Sequence, residues 1–517
     1  LNPAEAKTMP PRQGTKPSTR DLIAGVHPAK AGIAETFDRY GDLSLGAYAA
    51  TFGRNAAAPL QARDDLARAA AASARPILGA ATAAALERHL RSNASILTAN
   101  HLGVDCHDVY VQGSLLYALA DLSGDGCAPG EEPVAPVFAY GSVSLNNATW
   151  PRGILLARPR RAADGRWFPV RINLFPAGQR HTMVSRAPAF TGEMVRRAVR
   201  EVASLTRQEV LSPVESRVVQ EILQTEFSSA PVLGLDRYAE QAMAINAALW
   251  GRALAAIPGA PRFVYLEMEK IVAELLLRDL RDSATLAHRV LFDPQLRAGV
   301  VAGLNGKDGC WALPAKGEAA AESGTVFFWG IDPQGRRVHL RPVAQGAECW
   351  LAGVDRAGGA YRFPCTPEAV CAALAAGRLL PGLFLTFVQV AFARGYRCFG
   401  GPWQTTYLPI MRAGLVRALR AIPGYRAWAA AVAQAPAANQ VSGLTFALAD
   451  YGGERRAAGM MEMLAAGGLG GAELARIRAI RVGDALRNGL VLERLAQGET
   501  CGGDDGWGGA LILRFPG

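Results

Sequence analysis

Lysine is nearly missing from this chain: six lysines (Lys7, Lys16, Lys30, Lys270, Lys307 and Lys316) stand among 55 basic residues. The formal net charge of +10 therefore rests on arginine, and the arginines are spread along the sequence, with one dense run at 158–161. A nucleic-acid binder shows a basic stripe with interleaved aromatics. No such stripe is present, so nucleic acid is not expected as a partner. Arginine in place of lysine, with abundant alanine, fits a GC-rich bacterial genome.

Cysteine is scarce as well. Eight cysteines in 517 residues, no two at CxxC spacing, exclude a secreted disulfide scaffold and a zinc finger. Long hydrophobic runs are missing too. The most apolar stretch, 379–393, contains Pro381 and Gln389 and falls short of the roughly twenty residues of a membrane span. It reads as one buried helix, and no membrane span is expected. The first forty residues carry no continuous apolar segment, so no signal peptide is expected and the chain reads as cytoplasmic. The glycine run 467–471 lacks the lysine of a phosphate loop and reads as a linker.

What is present is material for large cores: half the residues are hydrophobic and 8% are aromatic, which excludes global disorder. The length implies two or three domains. Hydrophobic periodicity and turn signals predict a mixed α/β fold, with α+β as the variant, built as a mixed sheet layer with a helical insert and a second α+β lobe. The expected divisions are a flexible tail (1–20), an N-terminal α/β lobe (21–188), a mainly helical segment (189–305), a C-terminal α+β lobe (306–500) and a glycine-rich tail (501–517). Helices are expected near 59–73, 76–91, 236–256 and 264–280, the last apolar around most of its circumference. Thr191 and Ser212-Pro213 are expected helix starts. An antiparallel meander is expected over 325–354, turning at 332–335.

The chemistry concentrates in 95–122. A short apolar strand (Ile96, Leu97) leads into Asn100 and His101, with Asp105, His107 and Asp108 close behind. If a helix starts at Asn100, then His101, Asp105 and Asp108 share a face. That pattern suits a histidine base with a carboxylate partner. It also suits a ligand set, His101, Asp105, His107 and Asp108, for a divalent metal, the one cofactor it would admit. The plainer alternative makes Asp105 and Asp108 helix caps.

Asn100-His101 followed by Asp105, with Phe175-Pro176-Ala177-Gly178-Gln179-Arg180 some seventy residues on, resembles the glycerolipid acyltransferases, whose NH–x–x–x–x–D and FPEGTR motifs come in that order. The aspartate here stands one residue early, and Ala177 replaces the glutamate. The resemblance implies acyl transfer with His101 and Asp105 as a catalytic pair.

Three further clusters offer substrate contacts: Asn147 and Arg152 in the loop 144–153, Arg180 and His181 after Gln179, and Gln404 behind Cys398 and Gly400-Gly401. Cys398 has no histidine near it in sequence and reads as a buried apolar residue. Glu267, Glu269, Lys270 and Glu274 read as ion pairs along a core helix, Glu267 with Lys270 and Glu274 with Arg278. The expected function is an enzyme, transferase or hydrolase, acting on a small, anionic metabolite. His101 and Asp105 would be catalytic, and Asn100, Asn147, Arg152, Arg180, His181 and Gln404 would bind substrate. A non-catalytic scaffold is the alternative, and a homo-oligomer is compatible with either.

Overall fold

The computed structural model describes residues 18–26, 30–52, 59–123, 133–161, 167–313, 324–346, 348–437, 440–496 and 507–515. The fold is mixed α/β. The described strands that precede residue 268 are β1 (Ser95–Leu97), β2 (Val134–Ala139), β3 (Gly153–Arg161), β4 (Trp167–Asn173) and β5 (Arg262–Glu267). Then come β6 (Phe328–Ile331), β7 (Arg337–His339), β8 (Arg341–Gln345), β9 (Glu348–Val354) and β10 (Ala360–Pro364). The last are β11 (Leu379–Pro381), β12 (Arg397–Phe399), β13 (Ala447–Asp450), β14 (Arg455–Ala457) and β15 (Leu511–Leu513).

The central sheet has the order β12-β1-β2-β5, and every pairing in it is parallel, Leu97 lying beside both Phe399 and Val137. All six residues of β2 are buried, as a strand covered on both faces requires. Its four strands come from three of the segments expected from sequence, and one hydrophobic core runs from Ile33 to Leu513. The boundaries at 188 and 305 therefore do not separate sheets. Around this layer sit antiparallel pieces: the hairpin β3-β4, the sheet β11-β6-β7 and the sheet β10-β9-β8. The β6-β7 turn forms at the expected place, with Asp332 accepting from the N–H groups of Gln334 and Arg336.

Several elements differ from expectation. The expected helix 264–280 is two elements, strand β5 and the helix Met268–Asp279. Phe263, Val264 and Tyr265 suit a sheet pleat as well as a helix interior, and pairing with β2 decides for the strand. The apolar stretch 379–393 is likewise divided, into β11, the helix Leu383–Phe387 and a π-helical turn Val388–Ala393. Gly382 N-caps its helical part, and Pro381 ends the strand. The two helices expected at 59–73 and 76–91 form as Asp64–Ser92, broken at Gly79, whose φ of 85° and ψ of 165° are not helical. By length and composition this is the one described helix able to cross a membrane. The break leaves neither half at roughly twenty residues, and half of its most apolar window is buried inside the protein.

Described secondary structure reaches into both segments expected as tails. Most of 1–20 lies outside the described residues, but Ser18 caps a helix, Thr19–Ala24. Within the glycine-rich end, β15 pairs in parallel with β13 and buries Leu511 and Leu513. Thr191 and Ser212 cap Gly192–Arg207 and Pro213–Ile222 as expected.

Candidate functional site

From β1 the chain crosses to β2 on one side, and it returns much later to the other side of β1 as β12. The strand order thus switches between β1 and β12, and open α/β sheets bind ligands beyond the carboxyl ends of strands at such a switch. A cavity of about 1030 Å³ lies there. Its lining takes Thr98 and His101 from beyond β1, Tyr140 and Ser142 from beyond β2, and Gly401 and Gln404 from beyond β12. Trp311, Trp329, Arg337, Phe384 and Trp403 enclose it from the later part of the chain.

The strand ends are tied together under the cavity. Thr98 Oγ1 lies 2.9 Å from Gln404 Oε1, and Gln404 Nε2 donates to the Cys398 carbonyl at 2.9 Å. A Cβ on Gly400 would fall 2.1 Å from the Gln404 side chain, so glycine is needed for this approach. Gln404 therefore locks β12 to β1, and its amide is engaged before any ligand arrives. Beyond β2, the N–H groups of Gly141 and Ser142 each donate to the buried Glu269 carboxylate at 2.8 Å. Burial pushes this carboxyl up to about 7, against those two bonds.

His101 sits on a loop, not on a helix. The loop is stitched to β2, Leu102 N donating to the Tyr140 carbonyl and Tyr140 N to the Asn100 carbonyl. His101 Nδ1 lies 3.1 Å from Asn147 Oδ1 and 3.2 Å from the Tyr110 hydroxyl. The same Asn147 oxygen accepts from Thr149 N at 3.1 Å and Thr149 Oγ1 at 3.0 Å. Since a backbone N–H donates to it, that atom is the amide oxygen, and Nδ1 must carry the imidazole proton. Nε2 is left as an acceptor with no hydrogen bond among the described residues. Burial lowers the His101 pKa to about 4; the Asn147 bond opposes this, and the nearby His107 and Arg337 add to it. The ring is neutral at physiological pH.

The expected pairing of His101 with Asp105 does not form. Gly103, with φ of 142°, turns the loop away from helical geometry, and a Cβ there would meet Pro151 at 2.7 Å. The helix starts only at Asp108 (Asp108–Ala118), so the shared face of His101, Asp105 and Asp108 is lost. Asp105 is 4% exposed and points into the core, where its Oδ2 accepts from Asn100 Nδ2 and the Tyr265 hydroxyl, each at 2.7 Å. Asn100 is fully buried, with its Nδ2 on Asp105, and it is not among the residues that line the cavity. The two residues that carry the acyltransferase resemblance thus face different surroundings.

Burial also raises the Asp105 pKa to about 7, although Tyr265 and Asn100 favour its charged form. The sign follows: with the folded pKa above the unfolded 3.8, this group's contribution to stability is full below pH 3.8 and is lost as pH rises through about 7. Asp105→Asn keeps an oxygen for both donors and cannot ionise. It should therefore gain about 1–3 kcal/mol over the parent at pH 8 and little at pH 4, read from urea midpoints at both values. An equal shift at the two pH values would show that Asp105 titrates normally.

His107 and Asp108 do line the cavity. His107 Nδ1 stands 3.0 Å from Asp108 Oδ1 without the alignment of a hydrogen bond. Among the described residues, no three His, Cys, Asp or Glu side chains cluster so as to hold a metal ion, so His101, Asp105, His107 and Asp108 do not form the expected ligand set. Arg152 lies outside the cavity and donates through Nε to the Phe175 carbonyl at 2.8 Å. Arg180 and His181 are exposed beside each other, Nε to Nε2 at 3.1 Å, and also stand outside it. Cys398 is fully buried, and burial pushes its thiol well up. The expected pairs along the core helix are replaced by longer-range ones: Glu267 binds Arg237 at 3.0 Å and Lys270 binds Glu240 at 3.5 Å, while Arg278 binds Asp65.

Sequence reasoning missed Tyr110, Arg337 and the tryptophans at 311 and 329. Tyr110 follows His107 at i+3 in the first turn of its helix, a spacing that could have flagged it. Arg337 is one dispersed arginine among many, and only the β6-β7 hairpin carries it to the cavity, where its guanidinium lies 4.7 Å from the Trp329 ring centroid. It forms no salt bridge among the described residues. Comparison with protein-family models, curated proteins and solved structures yields no match for this chain.

Proposed function

We propose that the chain is a cytoplasmic enzyme of small-molecule metabolism, a transferase or hydrolase, which takes a small anionic substrate into the cavity above β1 and β12. His101 Nε2 accepts a proton or hydrogen bond from the substrate, and Arg337 receives its negative charge. The observation that carries this reading is the fixed tautomer of His101. Asn147 and Tyr110 hold Nδ1, so Nε2 is presented as an acceptor at a strand-order switch, facing a cavity large enough for a metabolite. Arg337, laid on Trp329 and without a salt bridge among the described residues, although the charge of Glu269 reaches it, supports an anion, since a stacked guanidinium still offers its edge for paired hydrogen bonds.

A binding role without catalysis is the second reading, favoured by one observation. An imidazole with a pKa of about 4 is a weak base, and catalytic bases work best when poised near the operating pH. An anion bound beside the ring would raise that value. Proton NMR titration of the His101 ring should give a midpoint of about 4 for the free protein, moving upward with added acetate or inorganic phosphate. A midpoint near the ordinary histidine value, unmoved by either anion, would remove the basis for this site.

A further inference from the structure

Beside the main cavity lies a second chamber of about 240 Å³. His107, Asp108, Ala148 and Leu492 line both, so these four side chains form the neck between them. The character of the lining changes across that neck. Beyond it the walls are Leu155, Ala157, Pro159, Phe168 and Pro169, with Trp167 beneath the Arg456 guanidinium at 4.7 Å. Four large apolar side chains stand exposed among the described residues, and two of them rim these chambers: Trp403, 49% exposed, the main one, and Phe168, 41% exposed, the second.

Resting on the reading of the main cavity given above, we infer that the substrate is amphipathic, with an anionic head at His101 and Arg337 and an apolar arm through the neck into the second chamber. The volume sets the length of that arm. At about 30 Å³ for each water-sized group, the chamber takes roughly eight heavy atoms. The chemistry of the walls sets its character. Five apolar lining residues with few polar groups leave a hydroxylated or charged arm short of hydrogen-bond partners, and an unpaired polar group would be costly there. Ala148 at the neck is small and exposed, which leaves room for a chain to pass between the imidazole of His107 and Leu492. Glycine at 459 belongs to the same construction, since a Cβ there would fall 2.1 Å from the Cys106 carbonyl oxygen. This close approach brings β14 against the His107 loop and closes the chamber's inner end.

Straight-chain carboxylates test the inference by isothermal titration calorimetry. A buried methylene is worth about fourfold in affinity, so octanoate should bind at least tenfold more tightly than butanoate. Ala157→Leu, whose three added carbons occupy part of the second chamber, should cut the octanoate advantage several-fold and leave butanoate unchanged. Phe168→Ala, at an exposed position where folding is not at stake, should weaken octanoate several-fold and butanoate not at all. A chain-length gain that survives both substitutions places the arm elsewhere and overturns the inference, as does the lack of any gain or of any binding. The catalytic reading fails separately: a chain-length gain reduced in Ala157→Leu, with a His101→Ala variant that turns over substrate like the parent, would keep the amphipathic site and discard the role of His101.

Discussion

His101→Ala should lower turnover by roughly 10²–10⁴-fold, the range that a positioned acid–base group contributes, while leaving the thermal unfolding temperature close to that of the parent. The stability expectation follows from the contacts. His101 makes its hydrogen bonds to Asn147 and Tyr110 on the cavity side, and the loop that carries it is held by backbone bonds to Tyr140. Removing the ring enlarges a cavity that is already open and strands no buried charge, because the ring is neutral. Asn147→Leu should act through His101. It takes away the acceptor that fixes the proton on Nδ1, so the ring is free to present N–H instead of a lone pair to the substrate. Its activity should fall while the variant folds as the parent does, and Asn147→Asp, which keeps the acceptor oxygen, should recover part of it.

The pH dependence has a definite sign. With a folded pKa of about 4 against an ordinary 6.5, Nε2 stays unprotonated through the neutral range. The kcat/KM profile, which reports the free protein, should be flat from neutral pH down to about 5 and fall as pH approaches 4. The measurement is incubation with a bacterial metabolite extract, following by mass spectrometry the compounds that the parent consumes. A His101→Ala protein that consumes the same compounds at the parental rate would turn the assignment toward a binding protein.

The place of the cavity could be read from sequence, but its wiring could not. A short apolar strand that ends in Asn100 and His101 marks a strand terminus, and polar groups at strand termini of an α/β sheet collect around one crevice. Asn147 and Gln404 carried the same mark, and both line the cavity. What failed was local geometry inferred from spacing. Residues four apart meet on a helix, yet Gly103 holds a backbone conformation that no helix contains, and Asp105 turns instead toward Tyr265, 160 positions later. That contact depends on β5 lying beside β2, a tertiary pairing with no local signature. The same pairing explains why 262–267 is strand. Apolar residues buried on every side show neither a period of two nor one of 3.6, so the pattern does not choose between strand and helix. Arg337 was beyond reach for a related reason. An arginine's role depends on which surface its hairpin meets, and composition carries nothing of that.

The largest stability loss is expected far from the cavity, at Arg394→Ala, which should destabilise the fold by about 3–5 kcal/mol, as breaking a buried ion pair from one side does. Arg394 is fully buried and stands between the π-helical turn Val388–Ala393 and β12. Its Nε donates to Asp65 Oδ1 at 2.8 Å, and its Nη2 reaches Asp65 Oδ2 at 2.7 Å and Asp279 Oδ2 at 2.9 Å. Nη1 adds bonds to the carbonyl and side chain of Gln389. One guanidinium thus joins the start of the helix Asp64–Ser92, the end of Met268–Asp279 and the entry to β12. The methylenes it buries count for less than the two carboxylates it would leave with the half-exposed Arg278 as their one remaining counter-charge among the described residues. Burial alone would raise the Asp65 pKa, but the bonds from Arg394 and the charge of Arg278 hold it below the ordinary value. A depressed folded pKa contributes stability that is present above the unfolded value and lost as pH falls through the folded one. The parent therefore weakens at low pH at this site, whereas Arg394→Ala, which leaves Asp65 with Arg278 alone, should regain stability as Asp65 protonates. The gap between the two proteins should be widest near pH 7 and narrow toward pH 4, measured as urea midpoints across that range. Replacing all three charged residues, as in Arg394→Met with Asp65→Leu and Asp279→Leu, should restore most of the loss, because no buried charge is then left alone. A single Arg394→Ala loss under about 1 kcal/mol, equal at all pH values, would mean that water reaches these carboxylates and that the clamp is not what joins the three elements.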